Sequence, residues 1–280
     1  MTNIISDIKE ELLPVYDSRE ASAIARAIAE ECFGITLAQA YAGLHRPLNQ
    51  SEKELLKQVL YRLKRHEPLQ YVLSRACFMG HLFCVAPGVL IPRPETEDLV
   101  EQVIREYDKA DAPCLLDMGT GSGCIVVSLK LALPRAQAFG MDISCEALRQ
   151  ARANAEQLGA KVKFFQADML KPATLPPLCV DAFVSNPPYV RMSEAKDMDL
   201  RVKEYEPREA LFVPDDEPLV YYEALARCGK QLLKPGGRIF VEINSAFGAE
   251  TAALFKSYGY SDVVVCRDRF DKERIVTCRK

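Results

Sequence analysis

Residues 185–190 read SNPPYV and close the run Asp181-Ala182-Phe183-Val184. The two prolines stop a strand, because each lacks an N–H and has its φ locked by the ring. A glycine or an asparagine would stop a strand more simply. Asn186, Pro187, Pro188 and Tyr189 instead make a rigid turn bearing one amide, carbonyls without neighbouring donors, and one ring. That set suits a small planar group such as an amide or an aryl amine. The nitrogen of such a group is a poor nucleophile, since its lone pair is delocalised. To react, its N–H groups must be held by acceptors and its plane clamped. The Asn186 side-chain oxygen and the Pro187 carbonyl can accept the two N–H bonds, and the Tyr189 ring can lie against the plane. Rigid prolines make orientation a main source of rate. No strong general base is required, because the proton can leave once the nitrogen is cationic.

A second cradle, CLLDMGTGSGC at 114–124, is placed to hold the electrophile. Cys114-Leu115-Leu116 reads as a buried strand running into Asp117, then Gly119, Thr120, Gly121, Ser122 and Gly123, then a helix. Glycines permit positive φ and let a ligand touch backbone, and a strand end beside a helix N-terminus is where α/β sheets bind ligands. The dinucleotide fingerprint wants G-x-G-x-x-G, whereas here the third glycine comes one residue early. The next strand ends in Asp142, about 20 residues on, where an acid grips a ribose diol. The strand after it ends in FFQADML, putting Asp168 and Met169 on the same rim, an acid and an apolar group suited to an adenine edge and face. Glycines, a ribose acid and an adenine clamp without pyrophosphate spacing fit S-adenosylmethionine better than NAD. A sulfonium methyl held there would point toward SNPPY.

Behind these loops stand elements that the pattern also predicts. Alternating strands at 114–118, 137–141, 162–166, 182–185 and 238–243 with helices near 122–133, 144–158, 218–234 and 247–257 imply an α/β fold, its mostly parallel sheet covered on both faces. Two further strands, 262–266 and 274–278, are joined by the short RDRFDKE and read as an antiparallel edge pair. Residues 1 to about 75 read as helices only. Asp17-Ser18 caps a helix whose stripe is Ala21, Ile24, Ala25, Ile28 and Cys32. Ser51-x-x-Glu54 reads as a capping box for a helix striped by Leu55, Leu56, Val59, Leu60 and Leu63, with Pro68 at its end. Residues 71–91 read as a hairpin, and 91–108 hold a helix opened by Thr96 or a neighbour.

Composition narrows the function classes. The chain has 280 residues, 49% of them hydrophobic, and a net charge of −3. A sizeable core is possible, and no global basic field draws in nucleic acid. The ten cysteines include no C-x-x-C pair, and the three histidines are His45, His66 and His81. Zinc wants tighter ligand spacing, so no metal is expected and the cysteines read as reduced small hydrophobes of a cytosolic protein. His66 and His81 read as surface or hinge residues, and LYRLKRHE as a solvated helix face. The N-terminus lacks the charged and apolar regions of a leader, no apolar run approaches the ~20 residues of a membrane span, and the expected compartment is the cytoplasm.

Taken together, DMGTGSG, MDIS, ADML and SNPPYV resemble a class I methyltransferase that modifies nitrogen. N-P-P-Y alone is shared with DNA adenine methyltransferases. The segment FMGHLFCVAPGVLIPRPETEDLVE, with YEPREAL, LKPGGRIFVEI and RDRFDKERIV, is more specific, and resembles the protein-(glutamine-N5) methyltransferases of peptide chain release factors, the HemK or PrmC family. The resemblance spans nearly the whole chain. It implies a Rossmann-like, doubly wound seven-stranded methyltransferase domain over 92–280, a hairpin linker over 76–91 and a small helical substrate-recognition domain over 1–75. It further implies a monomer acting in translation termination, with S-adenosylmethionine as cofactor and the glutamine of the release factors' Gly-Gly-Gln loop as substrate. Carried over, Gly119–Gly123, Asp142, Met169 and Asn186 contact the cofactor, and Asn186, Pro187, Pro188 and Tyr189 hold the substrate. Met169 stands where the family often has an aromatic residue, LFVPDDEPLVYY replaces a glycine-rich stretch, and EINS replaces E-I-G. Arg93 and Glu95 fit either the border of the pocket or a rigid domain joint, and Glu206 either a pocket closure or an exposed acid. Competing classes are a glutamine methyltransferase of a ribosomal protein, a nucleic-acid N6-adenine methyltransferase and a non-enzymatic cofactor-binding module.

Overall fold

The computed structural model describes residues 4–43, 47–107 and 112–280; His45 and Asp108 lie outside the described residues. Its helices are α1 (Ile4–Leu12), α2 (Ser18–Phe33), α3 (Leu37–Tyr41), α4 (Gln50–Leu63), α5 (Leu69–Leu73), α6 (Pro94–Glu106), α7 (Cys124–Ala132), α8 (Cys145–Gln157), α9 (Leu200–Tyr205), α10 (Val220–Leu232) and α11 (Gly248–Ser257). Its strands are β1 (Arg75–Phe78), β2 (His81–Cys84), β3 (Cys114–Met118), β4 (Gln137–Asp142), β5 (Val162–Gln166), β6 (Val180–Ser185), β7 (Val190–Arg191), β8 (Phe212–Val213), β9 (Leu233–Glu242), β10 (Ser261–Arg267) and β11 (Glu273–Arg279). The chain divides into two compact units, one of Met1–Arg75 with Asp199–Tyr205, the other of Ala76–Met198 with Glu206–Lys280.

In the helical unit, Asp17 caps α2 by accepting from the Arg19 and Glu20 amides at 2.8 and 2.9 Å. The helix ends at Gly34, whose φ of 64° lets its N–H close the last turn. Ala21, Ile24, Ala25 and Ile28 are buried as the stripe predicts, with Leu12 and Leu63 behind them. The capping box of α4 is displaced from the expected one. Asn49, not Ser51, is the N-cap: its Oδ1 accepts from the Glu52 amide and Glu52 accepts from the Asn49 amide, both at 2.9 Å. N-x-x-E and S-x-x-E overlap in NQSEKE, and Asn49 wins because it takes the extended backbone a cap requires. Leu55, expected in the stripe, is exposed, and the helix ends at Leu63 while Pro68 opens α5. Arg62, read as part of a solvated face, instead pairs with Glu67 and donates to the Tyr71 and Val72 carbonyls at 3.1 and 3.2 Å. Helix α9 was not anticipated. Arg201 on it bonds Glu20 and Asp199, its guanidinium lies 5.8 Å from the centre of the Tyr16 ring, and the Tyr205 hydroxyl donates to the Arg65 carbonyl at 2.5 Å.

The second unit is a seven-stranded sheet in the order β10-β11-β9-β6-β3-β4-β5, parallel from β9 to β5, with β11 antiparallel to both its neighbours. Alternate residues of each central strand face opposite ways. Leu116, Met118, Phe183 and Val241 therefore join the core that holds α10 and Phe255. Leu115, Ala182, Val184 and Phe240 join the one that holds α6 and α7. The hairpin β1–β2 turns at Met79-Gly80, both at positive φ. Helix α6 opens at Pro94, ahead of Thr96, because proline suits the first helical position. The short parallel pair β7–β8 was unforeseen, being too brief for any periodicity to register. Of the cysteines, Cys124, Cys228 and Cys278 are buried while Cys77, Cys145 and Cys179 are exposed. Among the described residues, no helix is long and apolar enough to cross a membrane.

The displaced cap is directly testable. Asn49→Ala should lower the stability of the helical unit by about 1 kcal/mol, and Ser51→Ala by less than about 0.5 kcal/mol. Chemical denaturation followed by helical circular dichroism reads both.

Candidate active site

Because β3, β4, β5 and β6 are parallel, their carboxyl ends share one rim. The glycine loop that leaves β3 is pinned there by backbone. The Gly119 and Thr120 amides both donate to the Met141 carbonyl at 2.9 Å. The Thr120 hydroxyl donates to Asp117 at 2.6 Å, and the Gly121 amide to Asp142 at 2.9 Å. A Cβ on Gly121 would meet nothing within 4 Å, so this backbone faces open space. Gly123 differs. At φ 80° it precedes α7, and a Cβ there would come within 3.1 Å of the Ala151 side chain. Its glycine is required by helix packing against α8.

The loop after β6 is held from three sides. Ser185 donates to the Met118 carbonyl at 2.5 Å, the Tyr189 hydroxyl to Glu242 at 2.9 Å, and the Asn244 amide to the Tyr189 carbonyl at 3.2 Å. Asn186 donates its Nδ2 to the Thr96 hydroxyl at 3.1 Å. Thr96 in turn donates to Glu242 at 2.7 Å.

A cavity of about 440 Å³ opens between these loops. Gly119, Thr120, Gly121, Ser122, Asp142, Met169, Asn186 and Pro188 line it, as do Asp168, Arg93 and Thr96. Gly123, Pro187 and Tyr189 are not among its lining residues. Tyr189 packs instead against the main core, with its hydroxyl on Glu242. Asp168 is engaged locally, accepting from the Leu170 amide at 2.9 Å and lying 3.2 Å from Lys171. The cavity suits S-adenosylmethionine. Its glycine backbone is open, the Asp142 carboxylate stands at the β4 end among the lining residues, Met169 gives an apolar face beside Gly119, and the volume lies in the usual range for small-molecule sites.

Several site-building residues carried no local signal. Glu206 is buried, taking the Ile91 amide at 3.2 Å and the Arg93 guanidinium at 2.5 Å. It thereby ties PRPETE to YEPREAL, and both segments line the cavity. Asn154, fully buried on α8, donates to the Ser122 and Cys84 carbonyls at 2.9 and 3.0 Å and accepts from the Cys84 amide at 2.8 Å. Glu242 ends β9 and receives Thr96 and Tyr189. Glu95, by contrast, is absent from the cavity lining. Glu206 in YEPREAL and Glu242 in EINS stood in stretches that the pattern singled out, though their partners did not show there, and Asn154 stood in none.

Comparison with known proteins shows the family and the fold. Residues 111–258 match the family model described as a methyltransferase domain, and residues 7–73 the PrmC N-terminal domain. The release factor glutamine methyltransferase of Bacteroides thetaiotaomicron is 41% identical over 280 residues, all of both chains. That of Flavobacterium psychrophilum is 39% identical over 221 residues, 78% of this chain and 77% of the relative. A solved methyltransferase from Pyrococcus furiosus superposes with a TM-score of 0.52 at 15% identity, over 73% of this chain and 91% of its own, which shows the fold is shared.

Burial sets the charge of the rim. It raises Asp142 above the usual carboxylate range, against the pull of the Ser144 and Gly121 amides. It pushes fully buried Asp117 up to about 7, against the Thr120 hydroxyl. Since the unfolded carboxyl releases its proton near pH 4, the folded chain binds more protons between roughly pH 4 and 7. Stability from this group therefore falls as pH rises through that window and levels above it. Asp117→Asn should remove a slope on the order of 4 kcal/mol across the window, read by denaturation of parent and variant at pH 4.5, 6 and 8.

Proposed function

The chain belongs to the release factor glutamine methyltransferase family, and on that footing we propose that it methylates the side-chain nitrogen (N5) of the glutamine in the Gly-Gly-Gln motif of peptide chain release factors. The observation that carries the reading is the engagement of Asn186. Its Nδ2 donates to Thr96, so the side-chain oxygen of a cavity-lining amide is left to accept from an incoming N–H.

S-adenosylmethionine supplies an electrophilic methyl on a positively charged sulfur. The chain's own residues do the rest. The Gly119–Ser122 backbone and Asp142 hold the cofactor's ends, and Met169 covers its apolar base. Asn186 Oδ1 and the Pro187 carbonyl take the two N–H bonds of the glutamine amide, fixing its plane. Prolines at 187 and 188 add no N–H of their own that could compete for those acceptors. Pro188 borders the cavity, and Tyr189 stiffens the turn through Glu242 and Asn244. Since the reaction leaves the nitrogen cationic before proton loss, orientation and not a strong base limits the rate. The helical residues 1–75 recognise another part of the release factor. The enzyme works as a cytoplasmic monomer without nucleic acid or membrane, in keeping with the net charge of −3.

Transfer of labelled methyl from S-adenosylmethionine to purified release factor tests this. Label should enter the wild-type factor and not one with the Gly-Gly-Gln glutamine changed to alanine. Asn186→Ala should cut the rate by roughly 10²–10³, the scale for losing one oriented hydrogen-bonding group at a reacting centre. Label on a ribosomal protein or DNA in place of release factor would sink the substrate assignment.

A further inference from the structure

Asn186 can accept a substrate N–H only if its amide is turned the right way, and nothing in SNPPY itself decides that. The hydrogen count around its neighbours does. The Thr96 hydroxyl has one hydrogen, and so does the Tyr189 hydroxyl. Both meet the Glu242 carboxylate, Thr96 on Oε2 at 2.7 Å and Tyr189 on Oε1 at 2.9 Å. Each hydroxyl gives its one hydrogen to a different oxygen of that carboxylate. Having given its hydrogen away, the Thr96 oxygen can only accept from Asn186, and the group facing it at 3.1 Å must be the NH₂. The oxygen of Asn186 is thereby turned away from Thr96.

We propose that Glu242 is the positioning residue of this site: through Thr96 it selects the rotamer of Asn186 that presents an acceptor, and through Tyr189 it anchors the other end of the same turn. The proposal rests on the functional reading above, since it explains why the site prefers a group with two N–H donors. Glu242 is 1% exposed, so it acts entirely through these contacts. Its backbone carbonyl also receives the Tyr222 hydroxyl at 3.3 Å, which fixes the end of β9 from the α10 side.

Glu242→Gln keeps the shape and breaks the logic. A carboxamide has one accepting oxygen and one donating NH₂. If the NH₂ faces Thr96, the threonine hydrogen turns to Asn186, which must then give its oxygen to Thr96 and point N–H at the substrate's N–H. If the NH₂ faces Tyr189, that hydroxyl loses its acceptor and the turn its anchor. Thr96→Val removes the relay at its middle.

Three measurements on the full chain decide the matter. With S-adenosylmethionine and release factor, Glu242→Gln and Thr96→Val should each lower kcat at least about tenfold, with cofactor affinity changed less than about threefold. Thr96→Ser, which keeps the hydroxyl, should recover most of the loss. In an Asn186→Ala background, Glu242→Gln should cost less than about twofold more, because the two act as one unit. Multiplicative losses in that background would overturn the proposal, and so would full activity of Glu242→Gln. Solvent exchange of the Asn186 side-chain NH₂, read by ¹⁵N NMR on the free protein, needs no substrate. It should be slow in the parent and at least about tenfold faster in Thr96→Val; equal rates would refute the relay. If the parent labels no release factor, the functional reading fails, and the exchange rates still decide the role of Glu242. Should Glu242→Gln not fold, Thr96→Val carries the same tests.

Discussion

A carboxylate taken out of water is tolerated only when its lone pairs are met by donors, because the desolvation of an unpaired ion amounts to several kcal/mol. Glu242 meets that demand with two hydroxyls drawn from α6 and from the turn after β6. Burial still raises its affinity for a proton, while Thr96, Tyr189 and the positive charge of Arg274 pull the other way. The same burial, with the neighbouring carboxylate, holds the Tyr189 phenol well above its ordinary value, so its hydrogen stays in place as a donor. One demand for hydrogen bonds thus dictates the conformation of three segments far apart in the chain.

The same device recurs around the rim. Three of the segments that border the cavity are held by polar side chains from other elements: the glycine loop by Asn154 and Asp142, the segment before α6 by Glu206, the turn after β6 by Glu242. Apolar packing sets where the strands lie, through two cores on the faces of the sheet. It has no direction, however, and cannot aim an amide. The polar contacts do that, and they are placed where strand ends leave the backbone without sheet partners.

This division of labour explains which parts could be read from residues alone. The main strands and helices from 114 onward follow from local apolar periodicity, and the structure moves their ends by a few residues at most, apart from β9, whose LKPGG start joins the strand; the brief β7, β8 and α9 carry no such signal. Gly119, Asp142 and Asn186 were legible because their type and spacing carry meaning within a short window. Thr96, Asn154 and Glu242 were not. Their partners lie from 32 to 146 residues away, and an isolated Thr, Asn or Glu looks like any other. The cap at Asn49 was missed for the opposite reason: two overlapping local signals competed, and only the backbone angles separate them. Tyr189 shows a third case, in which the residue was noticed and the contact of its hydroxyl was not.

Helix α9 belongs to the helical unit although it is encoded between β7 and β8 of the other. The chain therefore passes between the units three times, after Arg75, after Met198 and after Tyr205. A gene fragment ending at Arg75 would carry the amino-terminal helices and leave Arg201, the partner of Glu20 and Asp199, behind. Recombination could not exchange this helical unit with a single crossover, as it can a domain strung on one linker.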